Sequence, residues 1–242
     1  MSLNLISLTG ADDQVCVKSL AAITQRFPNV EWAILYFPER EGMARNPSAA
    51  WREQFISEGL TFTAAHLCGV QVFRELLDET LAPKRITDLS RYRRIQININ
   101  ARQKDFTETE VHSIYRTLHE AGFHLILQYH EGSKMVIDNW MLQLNENSLT
   151  RVDILFDGSK GKGVSPDAWP VPIQRGSFTH FCGYAGGLGP DAVQAQLPVI
   201  QAVVQTQKNV SYWIDMETGI RTDNEFDLAK VEQVLAFCAL QS

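Results

Sequence analysis

The sequence predicts a single (β/α)8 barrel over residues 1–242. Three observations carry that expectation: eight short apolar runs alternate with helical segments, the 242-residue length is near the ~250 typical of such barrels, and two late runs end in glycine. A glycine after a buried strand lets backbone N–H groups approach a ligand, because no Cβ intervenes and positive φ is allowed.

The strand-like runs fall at residues 3–8, 31–37, 61–67, 94–99, 124–129, 152–156, 181–184 and 212–215. Between them the helical signals are local. Thr107 and Glu110 form a capping box, Val111, Ile114, Tyr115 and Leu118 repeat at helical spacing, and Gly122 sits where a helix stops. A helix is expected around 136–144, and residues 158–174 read as a long loop. Pro190 after Gly189 is placed to open a helix, and a last helix from about 226 to 240 closes the ring. No linker rich in Pro, Gly or Ser divides the chain. An open doubly wound sheet is the competing architecture, and eight strands disfavour it.

Composition narrows the partners. With 45% hydrophobic and 21% charged residues there is material for one large core. A net charge of -6 argues against a general polyanion-binding surface, so no nucleic acid partner is expected, while a local basic pocket for one phosphate stays compatible. No run approaches the ~18 apolar residues of a membrane span and the N-terminus lacks a secretory signal, so no membrane association and a cytoplasmic location are expected. Cys16, Cys68, Cys182 and Cys238 are widely spaced, which reads as reduced thiols. No metal-ligand spacing and no cofactor motif stand out. The expected partner is a small phosphorylated or anionic ligand, and the sequence has no signal for oligomeric state.

In a barrel the C-terminal strand ends face the ligand. The candidates by position are Thr9, Arg40 or Arg45, His66, Cys68, Asn98, Asn100, His130, Asp157, Gly186, Gly187 and the stretch from Asp215 through Glu217 and Thr218 to Gly219. Asp157 ends an apolar run and opens the loop Gly-Ser-Lys-Gly-Lys-Gly, where a partly desolvated carboxyl could hold a raised pKa and donate a proton. A capping role is the alternative. Lys160 and Lys162 in that loop could close over an anion or stay solvated. By alternation His66 and Cys68 share one face of strand 3, as an imidazole and thiol near the mouth or as packed residues. A guanidinium at Arg40 or Arg45 could grip a carboxylate or remain a loop charge. His124 is expected to pack or face a helix, and His112, His119 and His180 read as helix-face or strand-entry residues.

Three late-strand patterns resemble the phosphoribosylanthranilate isomerase family. Ile154-Leu-Phe-Asp157, the glycine-rich loop after it and Asp167-Ala-Trp169 resemble its strand 6 region. Gly186-Gly-Leu-Gly-Pro190 resembles its strand 7 pattern, and Asp215-Met-Glu-Thr-Gly-Ile-Arg221 its strand 8 pattern. The first half matches by strand count and by Tyr36-Phe-Pro after strand 2. The resemblance implies a (β/α)8 barrel, a phosphate held near Gly186, Gly187, Thr218 and Gly219, and Asp157 as general acid of an Amadori-type isomerisation. Two departures are explicit. The family's strand 1 carries a Cys as general base where this chain has Thr9, and its two strand 8 serines are replaced by Glu217 and Thr218. A hydroxyl is not ionised near neutral pH, whereas a thiol of pKa about 8.5 can be tuned, so His66 or Cys68 is the candidate replacement base. The resemblance therefore leaves two readings open, an isomerase-like enzyme and a non-catalytic binding barrel.

Overall fold

The computed structural model describes residues 2–99, 105–157, 165–207 and 210–241. Eight parallel strands close into a barrel: β1 (Leu3–Thr9), β2 (Val30–Tyr36), β3 (Thr63–Leu67), β4 (Arg94–Ile97), β5 (His124–Tyr129), β6 (Val152–Asp157), β7 (Cys182–Ala185) and β8 (Tyr212–Met216). They follow one another around the ring in chain order, and β1 pairs with both β2 and β8. The (β/α)8 architecture expected from the eight runs is the one observed.

The helices are α1 (Val17–Arg26), α2 (Ala49–Ser57), α3 (Gln71–Leu77), α4 (Ala82–Leu89), α5 (Glu108–Glu120), α6 (Lys134–Met141), α7 (Glu146–Leu149), α8 (Pro190–Val204) and α9 (Leu228–Ala239). Outward strand residues such as Ile34, Leu67, Ile97, Leu127, Ile154 and Ile214 pack with helix residues such as Leu20, Phe55, Phe73, Ile114, Ile200 and Val234. Burying a side chain of this size contributes about 1.5–3 kcal/mol, so this layer between barrel and helices is the main source of stability. The α5 capping box is formed: Thr107 Oγ1 accepts from Glu110 N, and Thr107 N donates to Glu110 Oε2 at 2.7 Å.

Element ends moved where local chemistry competes. The helix expected around 136–144 is α6, which starts two residues earlier and ends at Met141. The last helix starts at Leu228, because Glu225–Phe226 pair antiparallel with Arg221–Thr222. The two-residue turn between them, Asp223 and Asn224 with φ of 50 and 66, has the positive φ values of a type I′ hairpin. Where the expected loop of residues 158–174 ends, a second ribbon pairs Gln174–Arg175 with Phe178–Thr179 before β7.

Period-two alternation sends the opposite strand faces inward, and much of what they carry is polar rather than the branched aliphatics usual in barrels. Low in the interior Arg94 of β4 donates to Glu31 of β2 at 2.7 and 2.6 Å and to Asp153 of β6 at 2.8 Å. The Arg94 guanidinium lies over the Trp213 ring, 4.6 Å from its centroid. Burial works against its charge, but Glu31 and Asp153 override that and hold its pKa above the usual arginine value. His124 turns beside this cluster, with Nε2 2.8 Å from Asp153 Oδ1, and Trp213 fills the barrel while Trp51 and Trp140 pack in the helix layer. Gly183 makes room for that indole, since a Cβ there would sit inside the Trp213 ring contact distance.

Candidate active site at the barrel mouth

The seam between β1 and β8 sets the centre of the mouth. Ser7 is the register partner of Asp215, so both side chains point inward, as does Thr9 two residues further on. Thr9 Oγ1 donates to Asp215 Oδ1 at 2.7 Å, and Thr9 is buried. Asp215 is largely enclosed by protein but not fully buried. Burial raises its carboxyl to about 7; the hydrogen bonds from Thr9 and Ser7 pull it down, and the charges of Glu217 and Glu31 push it up.

Asp157 ends β6 and is buried at 6% exposure. Asp157 and Asp215 are both register partners of Ala185, one on each side of β7. Two strand spacings separate them, about 10 Å between backbone positions. The methyl of Ala185 leaves the space between the two carboxyls clear of a larger side chain. A pair of carboxyls facing one compartment is a means of acid and base work at two points on one ligand.

On the opposite wall β3 and β4 contribute His66, Cys68, Gln96 and Asn98. Gln96 Nε2 donates to Asn98 Oδ1 at 2.7 Å, and Asn98 Nδ2 to Cys68 Sγ at 3.4 Å. His66 is 2% exposed, and burial together with the Arg94 charge lowers its imidazole to about 3. The ring is therefore neutral at physiological pH and a weak base, suited to hydrogen bonding. His130 sits in the turn after β5, where its Nδ1 accepts from Gly132 N at 2.9 Å.

The loops after β7 and β8 meet backbone to backbone. Gly186 and Gly187 have φ of 119 and 64, left-handed values that favour glycine. A Cβ on Gly189 would lie 2.8 Å from the Gly219 carbonyl oxygen, and one on Gly219 would overlap the Leu188 carbonyl. Pro190 opens α8 directly behind this contact. Gly219 belongs to the 3-10 turn Thr218–Ile220.

Arg45 reaches this rim from the loop after β2, and Arg40 does not. Arg45 Nη1 pairs with Glu217 Oε1 at 2.8 Å, and Arg45 Nε donates to Asn224 Oδ1 at 2.8 Å. Arg40 is exposed with its guanidinium over Phe37. Asp12 holds Arg45 in place and is itself held by Arg221. Asp12 accepts from Arg45 N at 2.7 Å and from Arg221 Nη2 at 3.1 Å, and Arg221 Nη1 donates to Gly10 O at 2.7 Å. The ion pair between Asp12 and Arg221 is long-range in sequence: Arg221 ends the strand 8 pattern, whereas Asp12 lies in no motif that would single it out. Asn100, Lys160 and Lys162 lie outside the described residues. Among the described residues no group of three or more His, Cys, Asp or Glu is arranged to hold a metal ion, and no helix is long and apolar enough to cross a membrane.

Fold and mouth together define a (β/α)8 barrel whose C-terminal end carries two inward carboxyls beside a glycine-built rim. No family model matches the sequence, and no curated protein matches it either. Solved structures do resemble it in fold. A phosphoribosyl anthranilate isomerase in complex with reduced 1-(o-carboxyphenylamino)-1-deoxyribulose 5-phosphate superposes with a TM-score of 0.58 at 10% identity, covering 99% of each chain. The N-(5'-phosphoribosyl)anthranilate isomerase from Pyrococcus furiosus superposes with a TM-score of 0.53 at 12% identity, covering 98% of each chain. At these identities the likeness is one of fold.

Proposed function

We propose that the chain is an isomerase-like barrel that acts on a small phosphorylated sugar-type substrate by acid and base catalysis, with Asp157 as the proton donor. The observation that carries this reading is the arrangement of Asp157 and Asp215 on the two sides of Ala185, both on the inner face at the C-terminal strand ends. Behind them the contact of Gly189 with Gly219 and the start of α8 at Pro190 form the rim on which backbone amides would hold a phosphate. Gly186, Gly187, Thr218 and Gly219 are the residues of that rim. The fold likeness to two phosphoribosylanthranilate isomerases supports the same substrate class. The test is turnover of phosphoribosylanthranilate, followed by loss of its fluorescence, in wild type and Asp157→Asn. Turnover that the substitution abolishes is the expected result; no turnover above the uncatalysed rate refutes the reading.

A second reading, a barrel that binds a ligand or partner without catalysis, is favoured by one observation. Thr9 stands where the resembling family has its thiol, and its hydroxyl is already committed to Asp215. On that reading a phosphorylated compound raises the melting temperature, because it binds only the native state, yet is returned unchanged.

A further inference from the structure

We infer that Asp215 is the proton-abstracting residue of this site and that Thr9 positions its carboxylate; the inference rests on the isomerase-like reading above. The geometry is that of a base moved by one hydrogen bond. In the resembling family the basic atom is carried at the end of strand 1, where this chain has Thr9. The Thr9 hydroxyl donates to Asp215 Oδ1 at 2.7 Å, so the carboxylate lies one hydrogen-bond length from that position, delivered by β8. The register of Ser7 with Asp215 fixes the carboxyl inward near the C-terminal end of β8, and the residue is only partly buried.

The surroundings make it a usable base. Burial, Glu217 at the end of the same strand and Glu31 on β2 all raise its proton affinity. Ser7 and Thr9 on β1 moderate it, and Ala185 on β7 is neutral. Glu217 is itself paired with Arg45, which limits its share of the repulsion. The net value near 7 matches what a general base needs at physiological pH. His66, lowered to about 3, is less basic by about four pKa units.

The step is an Amadori-type proton transfer on the open-chain iminium of a phosphorylated glycosylamine. The Asp215 carboxylate takes the proton from C2. The C2–H electron pair becomes the C1=C2 bond, and the C1=N π pair returns to nitrogen. The product is an enolamine that tautomerises to the aminoketose, with no external oxidant or reductant.

The experiment is kcat/KM for phosphoribosylanthranilate against pH in wild type, Asp215→Asn and Thr9→Val, with the Asp215 carboxyl titrated by 13C NMR in wild type and Thr9→Val. Asp215→Asn, which keeps the shape, should lose at least about a hundredfold in kcat/KM with its fold intact. Thr9→Val should move the acidic limb to higher pH together with the carboxyl midpoint, because the hydrogen bond that favours the ionised form is gone. A purely structural role would lower activity equally at every pH. Turnover that survives in Asp215→Asn would overturn the assignment while leaving the isomerase reading intact, as would a carboxyl midpoint in the ordinary carboxylate range. Absence of turnover in the wild type would overturn that reading and, with it, the reaction assigned to Asp215.

Discussion

Arg94 of β4 clasps Glu31 of β2 through two hydrogen bonds of 2.7 and 2.6 Å, deep inside a barrel that in most such folds is filled with aliphatic side chains. Both residues are almost wholly buried, and Asp153 closes the triad at 2.8 Å. A buried ion pair is weak evidence for stability in itself, but breaking one leaves an uncompensated charge. Arg94→Met should therefore cost about 3–5 kcal/mol in urea unfolding, whereas replacing Arg94, Glu31 and Asp153 together by apolar residues of similar volume should cost much less. Equal losses for the single and the triple replacement would refute this account.

Asp215 and His66 make opposing contributions to the pH dependence of stability. Asp215 titrates at about 7 in the native state against 3.8 in the unfolded chain, so between those values the native state keeps a proton the unfolded chain has lost, and stability falls as pH rises. His66 titrates at about 3 against 6.5, so there the unfolded chain holds the extra proton and stability rises with pH. Where the windows overlap the two slopes cancel. Asp215→Asn should uncover a rise of about 1.4 kcal/mol per pH unit from about pH 4 to 6.5, and His66→Gln a fall of similar size. Urea midpoints across that range check it, and a profile unchanged by either substitution would count against both shifts.

Gly183 and Trp213 are register partners whose side-chain volumes are complementary. A methyl at Gly183 would overlap the indole of Trp213. Gly183→Ala should destabilise by about 1–3 kcal/mol as an overpacked core does. The penalty should shrink when the same substitution is made in a Trp213→Leu background, and a double-mutant cycle on thermal unfolding measures that coupling.

Glu217 and Arg45 decide how the rim meets an anion. Their carboxylate and guanidinium are 2.8 Å apart and each is about a third exposed. A ligand phosphate would compete with Glu217 for Arg45. Glu217→Gln should tighten binding of a phosphorylated ligand by about 1 kcal/mol, roughly fivefold, and Arg45→Gln should weaken it. Calorimetry with ribulose 5-phosphate reads both; weaker binding in Glu217→Gln would show that Glu217 is not an obstacle to the anion.

The barrel was legible in the sequence because strand count and apolar periodicity are local properties. Each of the eight runs needs only its own residues to be recognised, and the capping box at Thr107 and the helix opened by Pro190 are equally local. The rim glycines were legible for the same reason. Strand ends were less so: the type I′ turn at Asp223 and Asn224 took two residues from the expected last helix, a competition between two local solutions that only packing resolves.

What the sequence by itself determined was the order of elements and which strand ends face the mouth. The tertiary structure decided the electrostatics. His124 and Trp213 lie on the inner face, which in a closed barrel is shared by strands far apart in sequence, and Arg94, Glu31 and Asp153 create there a polar site that no single strand announces. The contact of Thr9 with Asp215 spans 206 residues, and that of Asp12 with Arg221 spans 209. A proton affinity depends on the surrounding dielectric and on charges a few ångströms away, and those neighbours exist only once β8 has closed against β1.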